Sequence, residues 1–121
     1  MRHKKEGKKL SREPRQRRAL ASGLISNLIL KERIITTQAK AKYIKPRVDK
    51  FITKIKKAGT DDQKKVAAIR DLRKSLNEES VKKISGDFIN KFEGRSSGYT
   101  RIIKLPGRKS DGAEMAVIEF V

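Results

Sequence analysis

The side chains that could do chemistry in this sequence fall into a few small groups. One histidine, His3, stands near the start with no carboxylate or second histidine at ligand spacing. A metal needs several converging donors, so His3 alone cannot hold one. Two acid pairs, Asp61-Asp62 and Glu78-Glu79, have the look of proton-transfer carboxylates. Each falls where a helix is expected to begin, however, and there the helix dipole already accounts for negative charge. Ser96, Ser97 and Ser110 have no histidine base to activate them, and no glycine run leads into Lys-Ser or Lys-Thr as a phosphate loop would. The absence of cysteine removes thiolate catalysis, thiolate metal sites and disulfides together. No enzymatic activity, cofactor or small-molecule substrate is expected, which leaves the chemistry of cations meeting anions.

The first eighteen residues, MRHKKEGKKLSREPRQRR, concentrate that chemistry. Nine cations (Arg2, Lys4, Lys5, Lys8, Lys9, Arg12, Arg15, Arg17 and Arg18) face only Glu6 and Glu13. Such a segment repels itself and has little apolar surface to bury, so a polyanion is expected to complete it. A second cluster, Arg95, Tyr99, Arg101 and Lys104, is flanked by Gly98 and followed by Arg108 and Lys109. Arginine can grip phosphate or stack on a base, and tyrosine can stack or donate to a ribose. Tyr99 fits equally well beneath a sheet. Lys54, Lys56, Lys57, Lys64, Lys65, Lys82 and Lys83 fit the solvated sides of amphipathic helices.

The totals support nucleic acid as the partner. The 121 residues carry 32 Lys and Arg against 14 Asp and Glu, a net charge of +18, and charged residues reach 38%. An average soluble domain has about 25%. A chain of this length can bury one modest core, here an aliphatic one because Trp is absent. Phosphate polyanions will hold it and release counterions on binding. A DNA-compacting or regulatory DNA-binding protein would suit the charge as well, but no helix pair has a convincing short turn before a recognition helix. A membrane-surface binder would want large aromatics on a basic helix, and the first helical stretch has none. Residues 19–30 are interrupted by Ser22, Ser26 and Asn27, so neither a signal peptide nor a bilayer span is expected. The expected location is the cytoplasm.

The elements that must position these cations read in order. Residues 1–10 form a basic arm, and residues 11–121 a single α+β domain. Ser11 is a plausible cap for a helix to about Arg33, with Leu20, Ala21, Leu24, Ile25, Leu28 and Ile29 on one side and Ser22, Gly23, Ser26 and Asn27 opposite. Ile34 to Thr37 is β-branched and strand-like, and Thr37 can cap a second helix. There Ala41, Ile44, Val48, Phe51, Ile52 and Ile55 form a stripe, which Pro46 should kink or divide before Gly59 ends it. A third helix starts at a Thr60–Gln63 capping box and buries Val66, Ile69, Leu72 and Leu76. A fourth runs from about Glu78, with Val81, Ile84, Phe88 and Phe92 on one face and Gly86 weakening its middle. The last two strands form a hairpin with a long basic loop, Ala116, Ile118 and Phe120 alternating with Val117 and Glu119. The order α-β-α-α-α-β-β predicts two layers, helices packed on one face of a small three-stranded mixed sheet.

At that resolution the chain resembles a known family. Met1-Arg2-His3, Gly7, Leu10 and Arg12, then Arg33-Ile34, Thr36-Thr37 and Ala39-Lys40-Ala41-Lys42, look like the opening of the bacterial large-subunit ribosomal protein number seventeen family. Gly98-Tyr99-Thr100-Arg101-Ile102, Lys104, Asp111, Ala113, Met115-Ala116 and Ile118-Glu119 resemble its terminal hairpin. Ser97-Gly98 stands where the family commonly has Gly-Gly, and Gln16 where it often has an arm histidine. The resemblance implies a structural protein bound to large-subunit ribosomal RNA near the peptide exit, beside ribosomal protein number thirty-two. It adds His3, Thr36, Thr37, Lys40 and Lys42 to the expected RNA contacts. A purely electrostatic arm would have no need of Gly7 or Leu10. Replacing both while keeping every charge should therefore impair incorporation into the large subunit, read by gradient sedimentation; unchanged incorporation would reduce the arm to unspecific charge.

Overall fold

The computed structural model describes residues 9–121. The first helix, α1 (Pro14–Lys31), leads into strand β1 (Arg33–Thr37) and the long helix α2 (Gln38–Ala58). Two shorter helices follow, α3 (Asp62–Arg73) and α4 (Glu78–Ser85), then a 3-10 helix (Asp87–Phe92) and the strands β2 (Thr100–Leu105) and β3 (Met115–Phe120). The α+β class and element order are as expected, but the sheet is antiparallel throughout rather than mixed. Its order is β1-β3-β2. β1 and β2 do run the same way, but β3 lies between them and opposes both.

The helix ends follow local chemistry more closely than the caps read from sequence. α1 starts at Pro14, not after Ser11, because Leu10 and Ser11 hold φ values of 52° and 53°, outside any helix, while a proline's fixed φ suits a first helical residue. α3 is capped by Asp61 in place of Thr60; its carboxylate accepts from the backbone N–H of Gln63 and Lys64. Thr37 caps α2 as expected, accepting from Lys40 N–H at 3.4 Å. Pro46 neither divides nor ends α2. It is exposed, so the carbonyl it leaves without an N–H partner faces solvent, where the loss is least costly. Gly86 does break the fourth helix, and the chain tightens into the 3-10 turn that carries Phe88 and Phe92.

One apolar core joins all the helices to the inner face of the sheet. α2 supplies its axis, with Ala41, Ile44, Val48 and Ile52 fully buried. Ile34, Ile102 and Ile118 form a cross-strand row facing it. Phe92 is fully buried among Phe88, Tyr99 and Phe120, with ring centroids 5.4 to 5.6 Å apart. Three packing expectations change. Ser26 is buried, not solvated, because α4 covers that side of α1: Ser80 Oγ donates to the Ser26 carbonyl at 3.1 Å, and Ser26 Oγ accepts from Asn77 N–H. Val66 is 48% exposed, since α3 meets α2 through Ala68 and Leu72, a face turned away from Val66. Val117 points outward yet is buried, flanked on the outer face by Ile35 and Ile103 from the neighbouring strands.

Two lysines assigned to solvated faces are structural. Lys56 Nζ donates to the Phe92 carbonyl at 2.7 Å and to the Arg95 carbonyl, tying the loop after the 3-10 helix to α2. Lys83 Nζ donates to the Leu30 carbonyl at 2.9 Å, joining α4 to the end of α1. If Phe92 is the keystone of the aromatic cluster, Phe92→Ala should lower unfolding free energy by about 3–5 kcal/mol. Val66→Ala should stay within about 0.5 kcal/mol, as for other surface changes. Urea denaturation of the two variants checks the pair of values.

Candidate nucleic-acid interface

The predicted cations do not converge on one patch. Arg2, His3, Lys4, Lys5 and Lys8 lie outside the described residues. Lys9 and Arg12 close the turn before α1, with Arg12 N–H donating to the Lys9 carbonyl at 3.1 Å and Arg12 Nη1 to the Leu10 carbonyl at 2.8 Å. Arg15 and Arg18 are exposed and Arg17 is half-buried, all in the first turns of α1. The arm therefore continues into a helix whose Ala21, Ile25, Leu28 and Ile29 are core.

A second group gathers at one end of the sheet. Thr37 and Leu105 both pair with Met115, and Gln38 N–H donates to the Glu114 carbonyl at 2.9 Å. These links bring the start of α2, with Lys40 and Lys42, to the same end as Lys104 and the hairpin loop bearing Arg108 and Lys109. Thr36 points inward and is buried, which leaves it to the sheet rather than to a ligand. Thr37 Oγ1 is engaged as the helix cap. The first turns of α1 and α2 contain no acidic residue, whereas α3 begins with Asp62 and α4 with Glu78 and Glu79. Helix N-termini carry partial positive charge, so the start of α2, with Lys40 and Lys42 and no carboxylate, is suited to phosphate; at α1 the N-cap is Glu13, and the favourable charge there comes from Arg15, Arg17 and Arg18.

The hairpin loop has its own fixed geometry. Arg108 forms a two-pronged pair with Asp111, Nε to Oδ1 at 3.0 Å and Nη2 to Oδ2 at 2.6 Å. Asp111 Oδ1 also accepts from Ala113 N–H at 3.1 Å. The Arg108 hydrogen bonds, helped by that backbone donor, hold the Asp111 carboxyl down at about 2. Arg108 thus shapes the loop, and Lys109 is its exposed cation without an ion-pair partner among the described residues.

Arg95 and Arg101 sit at the opposite end of the sheet. Arg101 Nε donates to Glu119 Oε1 at 2.7 Å, and Arg33 reaches the other oxygen of the same carboxylate at 3.5 Å, so one acid on the central strand serves both edge strands. Arg95 is exposed and approaches the Gly98 carbonyl at 3.5 Å. Tyr99 is not available for stacking. Gly98, at φ 65°, turns the chain so that the tyrosine ring enters the core, only 1% exposed, packing edge-on against Phe92. Its hydroxyl donates to the Ser96 carbonyl at 3.0 Å. Sequence reasoning missed Arg47, whose guanidinium lies 4.0 Å over the Tyr43 ring and donates to that residue's carbonyl at 3.1 Å and hydroxyl at 3.0 Å. The four-residue spacing on one helix was the available signal.

Residues 20–121 match the sequence model of the ribosomal protein L17 family. The chain belongs to that family. It is 40% identical over 124 residues to the large ribosomal subunit protein bL17 of Petrotoga mobilis, covering all of this chain and 97% of that one. The bL17 protein of Shouchella clausii is 42% identical over 118 residues, 93% of this chain and 97% of its own length. That of Chloroherpeton thalassium is 44% identical over 122 residues, all of this chain and 69% of its own. Membership in the L17 family makes this a structural ribosomal protein rather than an enzyme. The family match begins at Leu20, after the arm and the first turns of α1, and includes the whole hairpin.

The Arg108–Asp111 pair gives a titration test. Because the folded carboxyl titrates below its usual 3.8, the loop geometry is fully held above that pH and is lost as pH falls through about 2. An NMR titration should place the Asp111 midpoint near 2 and, in Arg108→Gln, move it upward toward 3.8.

Proposed function

We propose that this chain is a constituent of the cytoplasmic large ribosomal subunit, holding large-subunit ribosomal RNA at two cationic places whose separation the fold fixes. Family membership supports the ribosomal role. The observation that carries the RNA reading is the distribution of charge at the helix starts: the first turns of α1 and α2 hold cations and no acid, with Glu13 just ahead of α1 as its N-cap, while α3 and α4 begin with acids. Arg15, Arg17 and Arg18 then continue the arm's contacts. Lys40, Lys42, Lys104 and Lys109 serve the second place, and Arg95 adds an exposed cation at the far end of the sheet. Folded RNA is met through backbone and shape rather than through base edges, since these groups are phosphate ligands and Tyr99 is withdrawn.

A neighbouring ribosomal protein, number thirty-two, is the proposed protein partner. The outer face of the sheet supports such a contact. No helix among the described residues covers it, and it exposes Ile35 by 65% and Ile103 by 42% beside the Arg33–Glu119–Arg101 row. Assembly of the subunit is the step that these contacts would assist.

The two RNA places are separable by mutation. R15Q/R17Q/R18Q and K40Q/K42Q should each weaken binding to large-subunit ribosomal RNA and flatten its salt dependence, by about 0.7 to 0.9 in log-log slope for every phosphate contact removed. Filter binding over a salt series, with helical content checked by circular dichroism, reads both. Co-sedimentation of the tagged wild-type chain with the large subunit is the companion test; migration with the nucleoid would favour the DNA-binding alternative instead.

A further inference from the structure

Seven cations unused by the fold's main contacts, or lightly used, line two adjoining depressions on the helical side. A groove of about 590 Å³ between α2 and α3 is bordered by Lys54, Lys57, Lys64, Arg70 and Lys74, with Asp71 its one carboxylate. A second depression of about 400 Å³, between the first half of α1 and α2, is bordered by Arg18, Arg47 and the same Lys74. Lys74 therefore joins the base of the arm to the groove. Asp71 is paired with Lys54, and Lys57, Lys64, Arg70 and Lys74 have no ion-pair partner among the described residues. The chain as a whole has 32 cations to 14 acids. The two depressions hold seven to one, well above what the overall composition explains.

We infer that a run of ribosomal RNA backbone lies along this track, leaving the arm at Arg18, passing Arg47 and Lys74, and entering the α2/α3 groove. The inference rests on the ribosomal RNA reading above and assigns it a third place. Three features favour a phosphate backbone over a solvated face. The groove floor includes Ala58, Ala67 and Ala68, whose small side chains let a backbone approach the helices closely. Arg47 is pre-set on Tyr43 by two hydrogen bonds and ring contact, so its planar fork loses little freedom on gripping phosphate. The track is also continuous with the arm helix, so RNA held by Arg15 and Arg18 needs no gap to reach it. An acidic protein segment would be drawn by the same charge, but nothing would align it with the arm.

The test compares K57Q/K64Q/K74Q with K31Q/K65Q/K82Q, an equal loss of charge from helical positions off the track. Glutamine keeps helix propensity, and circular dichroism verifies the fold. Binding of full-length protein to large-subunit ribosomal RNA is measured across a salt series. The track variant should lower the log-log salt slope by about 2 to 3, three contacts at roughly 0.7 to 0.9 each, and the control should not. In assembled wild-type subunits, ultraviolet cross-linking should join peptides within residues 54–74 to RNA. Equal slopes for the two variants, or cross-links from that segment to protein alone, would overturn the track while leaving the arm reading intact if R15Q/R17Q/R18Q still loses affinity. Failure of the wild-type chain to bind the RNA would instead defeat the reading on which the track rests.

Discussion

Like-charge repulsion is the constraint under which the rest of this fold is arranged. With 32 cations and 14 acids in 121 residues, each carboxylate placed at one seam is unavailable at another. Glu119 sits on the central strand between Arg33 and Arg101. Glu32 joins the end of α1 to Lys91 at 2.8 Å and Lys83 at 3.9 Å, and the hydrogen bond from Lys91, with the two positive charges, keeps its carboxyl below its ordinary range. Asp71 joins α3 to α2 through Lys54, and Asp111 closes the hairpin loop on Arg108. Exposed pairs of this kind contribute little energy individually. Their significance is positional, because neutralising the seams leaves the cations in the first turns of α1 and α2 without an ion-pair partner among the described residues.

The core meets the same constraint from the other side. It is thin, and it draws on polar side chains to complete its edges. Lys56 carries its ammonium into the Phe92 and Arg95 carbonyls after the 3-10 helix, adding to the Arg95 N–H that donates to Phe92 at 3.0 Å. Its stem covers apolar surface beside Tyr99, with the ammonium 5.1 Å from the ring centre. Lys83 does the same at the carbonyl end of α1, 5.2 Å from the Phe88 ring. A chain with few apolar residues and many lysines thus uses lysine as a structural residue. That is also why the charge count alone overstates the cations free for RNA.

Periodicity was a good guide wherever one neighbour decides burial. The α2 stripe of Ala41, Ile44, Val48, Ile52 and Ile55 is buried as its spacing predicts, and the β-branched and alternating runs are strands. It failed where a second neighbour intervenes. Ser26 is covered by α4, which no pattern inside α1 announces, and Val117 is covered by Ile35 and Ile103, which reach it only through a register set by the whole sheet. Val66 has core spacing yet is exposed because a helix's apolar side is broader than its contact, and the approach of α2 at Ala68 selects the part that is buried. Among the proposed site residues, cations at helix starts were legible from sequence. Tyr99 was not, because the same Gly-Tyr pair suits a stacking platform or a core insertion until the turn at Gly98 is known.

The arm's base is fixed by backbone geometry as well as by charge. Leu10 and Ser11 both hold positive φ, a conformation that costs residues with a side chain on the order of 1–3 kcal/mol unless surroundings impose it. Here the Lys9–Arg12 turn and the proline start of α1 impose it, so the chain leaves the helix in a set direction. A tether free to swing would lose that freedom on binding, whereas a directed one has already lost part of it during folding. In the reading proposed above, the core that buries Ala21, Ile25, Leu28 and Ile29 therefore contributes to RNA affinity without touching RNA, by holding the cations of α1 at a fixed distance from those of α2 and the hairpin.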